Sequence, residues 1–116
     1  LGHVLLLSRL TIDQRHQLQT AGQKREKASK LEQAQNFDQA VPLMEQVVSV
    51  RRNIYGSDYF LMAADLNLLG DFYDLSSNPD EAVSAYGQAL DIRKKVLGET
   101  HPDTAGSVEG LGLMLA

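Results

Sequence analysis

The residues of this 116-residue sequence whose types most readily do chemistry are its three histidines and fifteen carboxylates, and it contains no cysteine. Disulfides, thiolate zinc sites and a cysteine nucleophile are excluded together, while the redox compartment stays open. The histidines stand at positions 3, 16 and 101, and no two have the helical spacing of a metal site. In Thr100-His101-Pro102-Asp103, the histidine precedes a proline suited to the first position of a helix, so it reads as a loop-fixing residue. Asp71 and Asp74 lie three apart and could share a helix face, but such a pair is ordinarily solvated. The run Lys24-Arg25-Glu26-Lys27 is broken by its acid and reads as a solvated helix face, not an anion site. Gly110 and Gly112 form a G-x-G with no strand before it, so no phosphate-cradling loop is expected. The residues therefore predict no enzyme, no cofactor and no metal.

The elements that carry these residues are predicted to fold. A content of 43% hydrophobic and 22% charged residues suits a globular chain. The net charge of -4 lacks the basic excess that releases counterions from a nucleic-acid backbone, so no nucleic-acid partner is expected. The apolar residues 4 to 7 fall far short of the ~20 needed to span a bilayer. They also lack the basic start and small-residue cleavage site of a secretion signal. No membrane partner is expected, and cytoplasm is the default compartment.

A repeat organises the chain. Asn36-Phe37-Asp38-Gln39-Ala40-Val41 returns as Asn78-Pro79-Asp80-Glu81-Ala82-Val83, an offset of 42 (78 minus 36). At the same offset Gln46 meets Gln88, Arg51 meets Arg93, Gly56 meets Gly98, Ala63 meets Ala105, and Leu69-Gly70 meets Leu111-Gly112. Asp80 as an N-cap, apolar residues at helical spacing and a stop at Gly98 predict a helix over 80 to 97. Lys94 and Lys95 suit its negative end. The same grammar predicts helices at 38 to 55, 60 to 76 and 102 to 115, with an earlier one at 20 to 35. Before residue 36 the match thins: Ala28 falls on Gly70 and Leu31 on Tyr73, but Lys24 and Lys27 fall on Leu66 and Leu69. That helix is expected to keep an exposed face. Leu5, Leu6, Arg9 and Ile12 align with Val47, Val48, Arg51 and Ile54, so residues 1 to 12 read as the tail of an earlier second helix.

Leu66, Leu69, Gly70, Tyr73, Ala82, Tyr86 and Ala89 fall on a large, large, small, aromatic, small, aromatic, small spacing that resembles the tetratricopeptide repeat. The family's usual period is about 34 residues, and the longer period here resembles the variant of kinesin light chains and many bacterial repeat proteins. The resemblance implies an all-α fold, a right-handed α-solenoid of antiparallel helix pairs. Gly70 and Ala82 would let the helices of a pair cross closely, and leucine at either would overpack the crossing by roughly 1–3 kcal/mol. On this reading residues 1–116 form one array: 1–19 end a preceding repeat or form an N-terminal extension, 20–57 are repeat 1, 58–99 repeat 2, and 100–116 the first helix of repeat 3. The final helix, with Val108, Leu111, Leu113, Met114 and Leu115, is too apolar for a terminal cap, so the chain is expected to be cut from a longer array and to self-associate through its C-terminal helix.

The resemblance also implies where binding occurs. In such arrays the first helix of each pair lines a concave groove, and the residue after the first large position, often asparagine, bonds an extended peptide. The matching positions are Arg25, Asn67 and Glu109, followed one turn on by Ser29 and Asp71 and then by Glu32 and Asp74. Four acids against one arginine favour a basic or polar peptide as partner, in contrast to the acidic cargo peptides of kinesin light chains. A structural spacer or self-association segment of a larger protein is the competing reading.

Overall fold

The computed structural model describes residues 9–57, 59–98 and 102. The described residues form four helices and no strand: α1 (Ile12–Gln33), α2 (Phe37–Tyr55), α3 (Leu61–Leu75) and α4 (Pro79–Leu97). Each packs on its neighbour in sequence, α1 on α2 and α3 on α4 as pairs, with a thinner joint between α2 and α3. This is an all-α solenoid of helical repeats, in which order in space follows order in sequence. None of the described helices is long and apolar enough to cross a membrane.

The helix starts differ from the sequence reading in ways the local chemistry explains. α1 begins at Ile12, about two turns before the expected position 20. Thr11 is extended (φ -69°, ψ 164°) and takes the Gln14 amide on its hydroxyl at 3.0 Å. Its own amide donates to the Gln14 side chain at 3.0 Å, completing a capping box. Ile12 is thus the first residue of a new helix rather than the tail of an earlier one, and residues 1 to 8 lie outside the described residues. α2 and α4 start at Phe37 and Pro79, with Asn36 and Asn78 as N-caps in place of the expected interval beginning at Asp38 and Asp80. Pro79 fits because the first helical turn has no partner for its missing N–H. The helix expected at 102 to 115 falls, but for residue 102, outside the described residues.

Small residues set the approach of the helices. Ala28, Ala40, Ala82 and Ala89 are fully buried, and around them Met44, Val47, Met62, Leu66, Leu69 and Phe72 form the core. Gly70 is buried against the ring of Tyr86, so the crossing of α3 and α4 expected from the sequence is present.

The two tight turns within the pairs share one geometry. Asn36 N–H reaches Leu31 C=O at 2.7 Å and Asn78 N–H reaches Tyr73 C=O at 2.8 Å, while Gln35 and Ser77 sit at φ 60° and 65°. These are Schellman ends, whose left-handed residue is ordinarily glycine because a Cβ there crowds the following carbonyl. Ser77→Gly is therefore expected to stabilise the fold by about 0.5–1 kcal/mol, read as a higher urea midpoint with an unchanged m-value. A lower midpoint would show that the Ser77 side chain contributes more than its conformation costs.

Candidate peptide-binding surface

Seven residues were expected to line a groove, and the structure places six of them on the first helices of the two pairs. Arg25, Ser29 and Glu32 run along α1; Asn67, Asp71 and Asp74 run along α3; Glu109 lies outside the described residues. Steps of four and three keep each row on one helix face. Asp71 and Asp74 are exposed, and Arg25, Ser29, Glu32 and Asn67 are half-buried.

Arg25 is committed within the fold. Its Nε donates to Asp65 Oδ1 at 3.0 Å, and Asp65 is 1% exposed. From α2, Arg51 Nη1 donates to both oxygens of the same carboxylate at 2.8 Å. One buried acid thus ties α1, α2 and α3 together across the joint between pairs. Nothing in the sequence pattern singles out Asp65. The signal available was the match of Arg51 with Arg93, but at offset 42 the acid becomes Gln23 in one direction and Ser107 in the other, which hides it from any repeat pattern.

Asp71 also has an internal partner, since the Tyr86 hydroxyl donates to its Oδ1 across the α3/α4 pair. The Tyr73 hydroxyl donates to Glu45 Oε2 at 2.6 Å, joining α3 to α2. Burial, followed by the hydrogen bond and the charge of the accepting acid, pushes both phenols well above their ordinary value. Each stays a donor throughout the physiological range. A raised folded-state value means that this contribution is complete below about pH 10 and is lost as pH rises beyond it. Both tyrosines belong to the second pair: Tyr86 is matched by Met44 and Tyr73 by Leu31 in the first.

A cavity lies away from these rows. It holds about 470 Å³ between α2 and α4 over α3, with Val48, Leu66, Leu69 and Ala85 below and Glu45, Arg52, Tyr73 and Gln88 at the sides. A hydrogen bond of 2.9 Å from Arg52 to Gln88 crosses it. None of the six described groove residues lines it. Among the described residues no group of three metal-ligating side chains is gathered.

A family model described as tetratricopeptide repeat matches residues 24–95. The chain is similar to Protein KINESIN LIGHT CHAIN-RELATED 3 of Arabidopsis thaliana, at 33% identity over 67 residues that make up 57% of this chain and 10% of that protein. Its fold is similar to the crystal structure of BtubC (BKLC) from P. vanneervenii, with a TM-score of 0.74 and 18% identity over 81% of this chain and 37% of that one. The chain therefore spans about a tenth of the curated relative and well under half of the solved one.

Proposed function

This chain belongs to the tetratricopeptide repeat family, and from that premise we propose that it holds a basic or polar peptide segment of a partner protein along the face formed by α1 and α3. Repeats of this family are generally protein–protein interaction modules, which supports binding and leaves the ligand to the side chains of the groove. The observation that carries the ligand class is the engagement of Arg25 by buried Asp65. With the row's one cation hydrogen-bonded to Asp65, Glu32, Asp71 and Asp74 leave the acids of the row in excess, and Glu109 continues the series in sequence. On this reading Asn67 bonds the peptide backbone. The proposed division is repeat 1 at 20–57, preceded by the first turns of α1 from Ile12, then repeat 2 at 58–99 and the first helix of repeat 3 at 100–116.

The test is a calorimetric titration with a short lysine-rich peptide and its glutamate-rich counterpart. The lysine-rich peptide is expected to bind, more weakly as salt rises. Asn67→Ala should weaken that binding by roughly 1–3 kcal/mol without loss of stability, since alanine is the better helix former. Glu109→Lys should slow association. Leu69→Ala, by contrast, should lower the melting temperature first. If Asn67→Ala and Glu109→Lys both bind like the unaltered protein while folded, the groove reading fails.

A spacer or self-association role is favoured by one observation. Phe60, Val96 and Leu97 are 48%, 47% and 38% exposed, and line a cavity of about 250 Å³ at the α4 end of the described residues. Sedimentation over a concentration series, with and without Val96→Ser, separates association at that end from peptide capture on the groove.

A further inference from the structure

The two pairs are built on one 42-residue pattern, so each face of α3 has a counterpart on α1. On α3, Leu66, Leu69 and Phe72 are 2%, 6% and 1% exposed. Leu66 and Leu69 face the space between α2 and α4. Their counterparts on α1 are Lys24, Lys27 and Lys30. Lys24 reaches sideways to Gln46 Oε1 at 2.8 Å, Lys27 is exposed, and Lys30 pairs with Glu26 at 3.9 Å on the open surface. A second helix stacked on α1 as α2 stacks on α3 would bury two ammonium groups at positions where the repeat holds leucine. Burial of that kind is strongly unfavourable without paired acids.

The start of α1 is an independent observation. Forty-two residues before Tyr55, the end of α2, stands Asp13, which is already inside α1. A preceding second helix in register would need the residues that α1 uses for its own first turn and capping box. The additional turns of α1 are polar, with Ile12 87% exposed.

We infer that α1 is the N-terminal cap of the array: its stacking face is closed by Lys24 and Lys27, no further helix pair packs on it, and the stack runs only in the direction from α1 to α4. A polar outer face is what a repeat array needs at its end, because an apolar one would recruit another helix or another molecule.

The absence of cysteine makes the test simple. In the full chain carrying Lys27→Cys, the rate of reaction with a neutral thiol reagent is compared with the rate for the same chain in urea. A cap predicts a native rate within about tenfold of the unfolded one, since an exposed thiol needs no opening of the fold to react. Greater protection would show that other residues of the chain, those at 1 to 8 included, cover the face, and would overturn the inference. The second arm is Lys24→Leu/Lys27→Leu, which gives α1 the stacking face of α3. Sedimentation should then show a larger mass than for the unaltered chain at equal concentration. An unchanged mass would overturn the assignment of these lysines as what stops the stack.

Discussion

Replacing Asp65 by alanine is expected to lower stability by about 2–4 kcal/mol, a large part of what holds a domain of this size. The carboxylate is 1% exposed and accepts three hydrogen bonds from two guanidinium groups. Its loss leaves Arg51, with 20% of its side chain exposed, facing a void. Arg25, at 38%, can turn toward water. The estimate sits below the full cost of breaking a buried pair because that second partner escapes. Double-mutant cycles in urea should therefore give a larger coupling between Asp65 and Arg51 than between Asp65 and Arg25. The damage should also be local at first. The joint between α2 and α3 is thinner than the packing within either pair, so hydrogen exchange in α1 and α2 should accelerate before that in α4. A loss below about 0.5 kcal/mol, within the range of an ordinary surface substitution, would mean that the ion triad does not hold the joint.

The parts of this molecule that were legible in its sequence are those in which each residue argues locally. The 42-residue offset, the stop at Gly98 and the small-against-aromatic pattern of Gly70 and Tyr86 need only a helix and its partner, and the structure contains each of them. Asp65 was not legible because its role depends on three helices at once, and no period repeats it. The start of α1 was misplaced for a different reason. The offset aligned Ile12 with Ile54, whereas the Thr11 to Gln14 capping box, a signal four residues long, fixed the true helix start. At the candidate groove, the repeat offset assigns Arg25, Ser29 and Glu32 to one helix and Asn67, Asp71 and Asp74 to another, but it does not give the internal partners of Arg25 and Asp71, which only the packing of helix on helix supplies.

Gly70→Ala is expected to destabilise the chain by up to about 2 kcal/mol even though alanine is the better helix former by about 1 kcal/mol. A Cβ at position 70 would lie 2.7 Å from Tyr86 Cε1, 2.8 Å from Cδ1 and 3.1 Å from Cζ. The ring has little freedom to withdraw: Tyr86 is 8% exposed, and its hydroxyl is held by Asp71 on the same helix as the glycine. The clash must therefore push α3 and α4 apart, at a cost of roughly 1–3 kcal/mol that exceeds the propensity gain. Gly87, inside α4, supplies the control. Nothing lies within 4 Å of its added Cβ, so Gly87→Ala should express the propensity gain alone and raise stability by up to about 1 kcal/mol. The decisive measurement is Gly70→Ala in a Tyr86→Ala background, where the atoms it would strike are gone. There the substitution should become neutral or stabilising, a change of sign that distinguishes a steric crossing from a general intolerance of the site. If Gly70→Ala costs the same in both backgrounds, the crossing is not set by the contact between this glycine and this ring.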